Sequence, residues 1–267
     1  MIFAAGLGTR LKPLTDNIPK ALAPLAGKTL LYYAISRLRD AGVTSFVVNV
    51  HHFPDMIIDY LRDNEEFAGL DITVSDERDF IRETGGGVRF ARPLLENEDK
   101  FLIHNVDIVS NLNIEEFCSC SPQGAMSTLL VSERKTQRYM LFDKDMRLAG
   151  WTNVATGAIK SPYRNIDPDK CKKLAFAGIH LMSGKVFDSF DMMDANPSDY
   201  PLYDEYGRVI DGSTSELGDR FPIMDYYLRA AARFPIYGSQ IEGLTVIDAG
   251  KMESLAEAND YLSQSAK

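Results

Sequence analysis

Through the first part of the chain, short apolar runs alternate with stretches in which apolar residues recur every three or four positions. The runs at 1–5, 45–50, 71–75 and 101–105 are brief and lie between turn formers, and they read as strands. Between them Leu30, Leu31, Ala34, Leu38 and Ala41 keep roughly helical spacing, as do Met56, Ile57, Tyr60 and Leu61. Strand and helix in alternation predict an α/β fold whose central sheet is mainly parallel and carries helices on both faces. Met1 stands directly on the first run, so one or two residues upstream would complete that strand.

The pattern changes at Gly124. Runs at 125–131, 139–143 and 174–182 are β-like and separated by polar turns, which predicts a mixed sheet with a small β-rich extension or lid. The stretch 189–219, rich in Asp, Pro, Gly and Tyr, reads as one long loop. Helix returns at 223–232, and a strand at 244–247 and a helix at 251–262 follow.

Composition narrows the partners more than the fold. The 267 residues, 45% of them hydrophobic, suffice to bury a substantial core. A net charge of -9 argues against duplex nucleic acid or an anionic membrane, because either calls for clustered Lys and Arg. No apolar run reaches the ~20 residues of a membrane span, and the amino terminus lacks a signal-peptide pattern. Cys118, Cys120 and Cys171 fit neither a disulfide framework nor zinc-ligand spacing and read as reduced thiols. These features predict a cytoplasmic protein with no nucleic-acid or membrane partner, and they leave its oligomeric state open.

The chemistry is concentrated after the first strand. Ala4-Ala5-Gly6-Leu7-Gly8-Thr9-Arg10 runs from a strand into small residues and two glycines, where no Cβ keeps an anion from the backbone N–H groups. Arg10 adds a bidentate donor and Lys20 a second cation, the equipment for a polyphosphate. A dinucleotide fingerprint needs a third glycine where Leu11 stands. Gly27-Lys28-Thr29 imitates the end of a Walker loop, but Leu22 occupies the place of its first glycine, so a turn before the helix at Leu30 is the better reading.

The run Gly6-Leu7-Gly8-Thr9-Arg10-Leu11, with Pro13-Leu14-Thr15 and Pro19-Lys20, resembles the signature of the sugar-1-phosphate nucleotidyltransferases. The resemblance implies that Ala5, Gly6, Leu7, Gly8 and Thr9 bind a nucleoside triphosphate. It implies that Arg10 holds the β- and γ-phosphates and that Lys20 stabilises charge near the α-phosphate. Further on, Glu83-Thr84-Gly85-Gly86-Gly87 precedes a helix expected from Val88 and offers backbone donors at its start. By the same resemblance Thr84, Gly85 and Gly86 contact the base. This version of the segment is similar to that of bacterial uridylyltransferases acting on N-acetylmuramic acid 1-phosphate, and mannose-1-phosphate guanylyltransferase-like members are also similar.

Asp107 and Asp248 each end an apolar run, at Phe101-Leu102-Ile103-His104-Asn105-Val106-Asp107 and Leu244-Thr245-Val246-Ile247-Asp248. An aspartate there is usually a turn residue or a cap. The resemblance implies instead that both bind Mg2+, the second in the family's closing Asp-Val/Ile-Gly motif at Asp248-Ala249-Gly250, with Val106 and Ala249 as departures from the family pattern. The middle of the chain lacks the family's Glu-Lys-Pro motif. Only Gly150-Trp151-Thr152-Asn153 and Lys160-Ser161-Pro162 stand nearby, and the acceptor residues stay unassigned.

The expectation is a single nucleotidyltransferase domain over 1–267, with a Rossmann-like nucleotide-binding half at 1–113 and an acceptor-binding half at 114–267. It would join a nucleoside triphosphate to a sugar 1-phosphate and release pyrophosphate, with Arg10, Lys20 and Asp107 catalytic. A phosphocholine-type cytidylyltransferase and a non-catalytic regulator that binds a nucleotide sugar are the alternatives.

Overall fold

The computed structural model describes residues 1–265, which divide into two compact units. The first takes in 1–81, 103–115 and the chain from Gly243 onward; the second takes in 82–102 and 116–242.

In the first unit four parallel strands run side by side in the order Lys100–Asn105, Ile2–Phe3, Ser45–Val50 and Asp71–Asp76. Of the strand Lys100–Asn105, residues 103–105 belong to this unit. Ile2 pairs with Val48 on one side and His104 on the other, and Phe3 with Asn49 and Asn105. Phe46 to Val50 are buried without alternation, as in parallel strands covered on both faces. The chain lays its second and third long strands on one side of Ile2–Phe3 and returns for the strand on the other side. That reversal opens a crevice outside the carboxyl ends of Ile2–Phe3 and Lys100–Asn105, where ligands of open α/β sheets bind.

Helix Leu30–Asp40 packs on Lys28–Thr29 and Ile108–Ser110, helix Pro54–Asp63 on the strand Asp71–Asp76, and helix Met252–Ser265 on Pro24–Leu25 and Val246–Asp248. The first is capped by Thr29, whose Oγ1 accepts from Tyr32 N at 3.0 Å. Thr29 ends a small hairpin of Pro24–Leu25 and Lys28–Thr29, so the Walker-like tripeptide is a turn and a cap. Ile108–Ser110 and Val246–Asp248 form a separate antiparallel pair.

The second unit is built on the long strand Lys172–Ser183, which pairs antiparallel with Arg138–Phe142 at its start and with Ser127–Ser132 further along. Leu148–Asn153 and Ala158–Lys160 extend one side, and Ile236–Ser239 runs parallel to Ser127–Ser132. Two expectations are corrected here. The stretch 189–219 is not all loop, because helix Val186–Ala195 occupies its beginning. Val186, Phe187, Phe190 and Met193 recur at helical spacing and are all buried. The segment at Glu83 is already helical, so Gly85, Gly86 and Gly87 lie inside the helix Glu83–Phe90 rather than ahead of it.

Aromatic rings fill this unit. Phe190 meets Tyr226 edge-on at 4.7 Å and Phe221 at 5.6 Å between centroids. Ser189 Oγ and Tyr226 Oη are 2.8 Å apart, and His180 Nδ1 is hydrogen-bonded to Tyr227 Oη.

Burial lowers the His180 pKa to about 3 and, in the first unit, that of His104 to about 4. Both fold neutral, so below the ordinary value near 6.5 the unfolded chain binds more protons than the folded one. Their contribution to stability is complete above pH 6.5 and falls as the pH drops towards 4. The urea midpoint should decline over that window, and His104→Gln should flatten the decline. An equally steep slope in the variant would show that His104 is not among its sources.

Candidate functional site

The glycine loop leaves the sheet under tight control. Asn49, beside Phe3 on the neighbouring strand, accepts through Oδ1 from Ala4 N at 2.8 Å and Ala5 N at 3.3 Å. Its Nδ2 donates to Glu77 Oε1 at 2.8 Å, and both side chains are buried. From Gly6 the chain is open: no atom lies within 4 Å of where a Gly6 Cβ would stand. Gly8 is different, because its φ of 66° favours glycine and a Cβ there would lie 2.9 Å from Thr15 Cγ2 and 3.0 Å from Lys20 Cβ. The Gly8 carbonyl accepts from Leu11 N and from Thr15 Oγ1, each at 2.8 Å. The loop therefore folds back onto Thr15 and Lys20 while Gly6, Leu7, Thr9 and Arg10 stay exposed or nearly so.

Asp107 and Asp248 arrive by strand pairing. In the antiparallel pair Asp248 stands opposite Ile108, and Ala249 N donates to Asp107 O at 2.8 Å. Gly250 follows, its N donating to Asp248 Oδ1 at 3.0 Å. A Cβ on Gly250 would lie 2.7 Å from Asp107 Oδ2, 2.7 Å from Asp248 Oδ1 and 2.8 Å from Arg10 Nη2. The two carboxylate oxygens and the guanidinium thus surround one point, and the oxygens lie within twice that distance of each other. Lys20 Nζ is ion-paired with the same Asp107 Oδ2; the two side chains are only 14% and 9% exposed. Arg10, Lys20, Asp107 and Asp248 are therefore gathered at the carboxyl ends of the strands.

Thr84, Gly85 and Gly86 belong to the second unit, where their polar groups are already engaged. Gly85 N and Gly86 N donate to Phe221 O at 2.8 and 3.1 Å, and Thr84 Oγ1 accepts from Ile223 N at 2.9 Å. A Cβ on Gly85 would meet the Phe221 ring at 2.3 Å, and one on Gly86 the Asp219 carbonyl at 2.3 Å. These glycines let the 219–223 segment approach the helix, and the N–H groups of Gly85 and Gly86 are spent within the chain. His104 is buried and its Nδ1 bonds Asn105 O at 2.8 Å.

One residue of the site escapes a reading by motif: Asn49. Asn49 leaves a signal, a lone amide in the apolar run Phe46-Val47-Val48-Asn49-Val50 that ends at a carboxyl edge of the sheet. Gly250 closes the motif that carries Asp248, and its importance lies in what surrounds its Cα.

An open parallel sheet with a glycine loop and paired carboxylates at its switch point defines a nucleotide-handling α/β protein. Residues 1–142 match the model of the nucleotidyl transferase family, and the chain belongs to that family. It is 46% identical over 111 residues to an N-acetylmuramate alpha-1-phosphate uridylyltransferase of Caulobacter vibrioides. That match covers 41% of this chain and 45% of the relative, so it spans less than half of either. Among solved structures, HddC from Yersinia pseudotuberculosis complexed with GMP-PN superposes with a TM-score of 0.68 at 20% identity, covering 98% of this chain and 97% of that one. The inositol-1-phosphate CTP transferase from T. maritima gives 0.71 at 15% identity, over 98% and 93%. At such identities the structures share the fold.

Asn49→Ala should strand two backbone donors and remove a hydrogen bond from the buried Glu77, lowering the unfolding free energy by about 1–3 kcal/mol. Urea denaturation measures it, and a loss below about 0.5 kcal/mol would mean that the loop is anchored by other contacts.

Proposed function

We propose that the chain is a sugar-1-phosphate nucleotidyltransferase that transfers a nucleotidyl group from a nucleoside triphosphate to a sugar 1-phosphate and releases pyrophosphate. The observation that supports this most is the gathering of Asp107, Asp248 and Arg10 around the empty side-chain position of Gly250, with Lys20 paired to Asp107. A module that only bound a nucleotide sugar would have no use for two converging carboxylates.

The acceptor phosphate is already ionised, so its oxygen attacks the α-phosphorus without a general base, and the protein's part is alignment and charge stabilisation. Arg10, exposed on the loop, is placed to fork the outer phosphates. Lys20 is kept beside the loop by Asp107 and by its close packing on Gly8, where its ammonium can balance charge growing on the α-phosphate.

The donor set suits magnesium. Asp107 and Asp248 offer hard oxygen ligands, Gly250 leaves the space between them free, and among the described residues no three His, Cys, Asp or Glu side chains form a fuller cage. Magnesium takes one or two protein carboxylates and completes its shell with water and phosphate oxygens. Bound between these aspartates it would neutralise charge on the reacting phosphates. Among the described residues no helix is long and apolar enough to cross a membrane, which accords with a cytoplasmic setting.

The direct test is pyrophosphate release across a matrix of triphosphates and phosphorylated acceptors. Turnover is expected only when both are present; tight triphosphate binding with no turnover for any pair would favour the regulatory alternative. Lys20→Met should lower kcat on the order of 100-fold, as for loss of one preorganised transition-state donor, and activity within a few-fold of the parent would remove Lys20 from the mechanism. Asp107→Asn and Asp248→Asn should each raise the magnesium requirement and lose most turnover. Their double variant should be far less impaired than the product of the single effects, because the two act as a unit. Gly250→Ala, with its methyl placed against both carboxylates, should reproduce those losses without altering any charge. Parental magnesium dependence in that variant would disprove the crowding argument.

A further inference from the structure

Asn49 stands level with Phe3, the last residue of the strand Ile2–Phe3, and its Oδ1 takes the next two backbone N–H groups, those of Ala4 and Ala5. Neighbouring N–H groups of an extended strand point to opposite sides, so two that meet one oxygen mark where the chain leaves the ladder and turns. Past that turn, among the described residues, the N–H groups of Gly6, Leu7 and Gly8 have no acceptor within the chain. The donors read above as facing the phosphates therefore begin directly after the two that Asn49 holds.

An amide has two unlike ends, and only one orientation serves here. Oδ1 must face Ala4 and Ala5, so Nδ2 must face an acceptor. Glu77, just past the strand Asp71–Asp76, supplies it: its Oε1 accepts from Asn49 Nδ2 at 2.8 Å. Glu77 is held in its turn, its N donating to Val50 O at 2.8 Å and its carbonyl lying 2.7 Å from His51 Nδ1. Asn49 is 3% exposed and Glu77 0%, so bulk water is not at hand to replace either bond. Ala4, Ala5, Asn49, His51 and Glu77 all belong to the first unit.

We propose that Asn49 is a positioning residue for the triphosphate and that Glu77 acts through it. Glu77 fixes the direction of the amide, and the amide fixes the turn from which Gly6, Leu7 and Gly8 present their N–H groups to the phosphates. This rests on the reading of the loop as a triphosphate site and goes beyond it: the affinity of the loop is set from two strands away, by residues that stand behind it.

The test measures the Kd of inorganic tripolyphosphate and of UTP, GTP, CTP, dTTP and ATP, each with magnesium, and the KM of triphosphate and acceptor for any pair that turns over. Every measurement is made where the urea curve shows the variant folded, which separates affinity from stability. Asn49→Leu keeps the bulk of the side chain and removes both ends of the amide. It should weaken tripolyphosphate and the bound nucleotide alike, about tenfold or more, and leave the acceptor KM within about twofold. Asn49→Asp keeps an acceptor for Ala4 and Ala5 but sets two carboxyl groups together with no N–H between them, and it should weaken tripolyphosphate on a similar scale. Adding Glu77→Gln returns a donor to that contact with its polarity reversed, so the double variant should recover most of the loss. Should Asn49→Leu fail to fold, this pair carries the test alone.

Tripolyphosphate bound by Asn49→Leu about as tightly as by the parent, or an acceptor KM that rises as far as the triphosphate KM, reduces Asn49 to a structural residue and overturns the proposal. A double variant no better than Asn49→Asp overturns the part given to Glu77. Triphosphate binding that depends on Asn49, with no turnover for any acceptor, would defeat the transferase reading and leave this inference standing. A parent chain that binds no triphosphate overturns both.

Discussion

Two carboxylates that converge on one point repel each other, and the first unit is organised around making that tolerable. With both oxygens 2.7 Å from that point, and so no more than about 5.4 Å apart, the repulsion is on the order of 3 kcal/mol or more under the screening typical of protein surroundings. Lys20 answers it by pairing with Asp107, and Arg10 brings its guanidinium to the same point. The convergence itself depends on the short pairing of Ile108–Ser110 with Val246–Asp248, which sets Asp248 against the strand that follows Asp107. A shift of one residue in that register would turn the Asp248 side chain to the opposite face. The charge cluster and the three-residue ladder are therefore one device: the ladder imposes proximity and the cations offset its cost.

Glycine serves this protein in two distinct ways. At Gly8 and Gly250 a side chain would intrude on the loop or on the charge cluster, so the missing Cβ bears directly on the site. At Gly85 and Gly86 the missing Cβ lets one segment of the chain lie against another, with the freed N–H groups satisfied by Phe221 O. Both uses follow from the same permissiveness, and a glycine-rich string in a sequence does not say which is in force.

The helix Ile223–Ala230 shows a comparable division of labour within the second unit. Tyr226 and Tyr227 turn inward to Ser189 and His180, fixing the helix by buried hydrogen bonds among rings. Asp225 and Arg229 take the side that lines a cavity of this unit. Firm packing on one face is what permits ionisable groups with few partners on another, since the desolvation they suffer is offset by contacts elsewhere on the same element.

The amino-acid sequence by itself determined the alternation of strands and helices in the first unit and the glycine loop with Arg10 and Lys20. Hydrophobic period, turn chemistry and motif spacing are local properties, legible along a few consecutive residues. It also marked Asp107 and Asp248 as ends of apolar runs, with family resemblance supplying their partnership. It misread 189–219, where acidic and proline residues masked the buried stripe Val186, Phe187, Phe190 and Met193, and it took Gly85 and Gly86 for ligand donors. Only the tertiary structure decided the strand register that joins Asp248 to Asp107, the anchoring of Ala4 and Ala5 by Asn49, and the space left by Gly250. It alone gathered Lys160, Asp225 and Arg229 on one cavity. Each of these joins residues distant in the chain, so it follows from which surfaces meet when the strands pair and the helices pack, a geometry that no local pattern of residue types encodes.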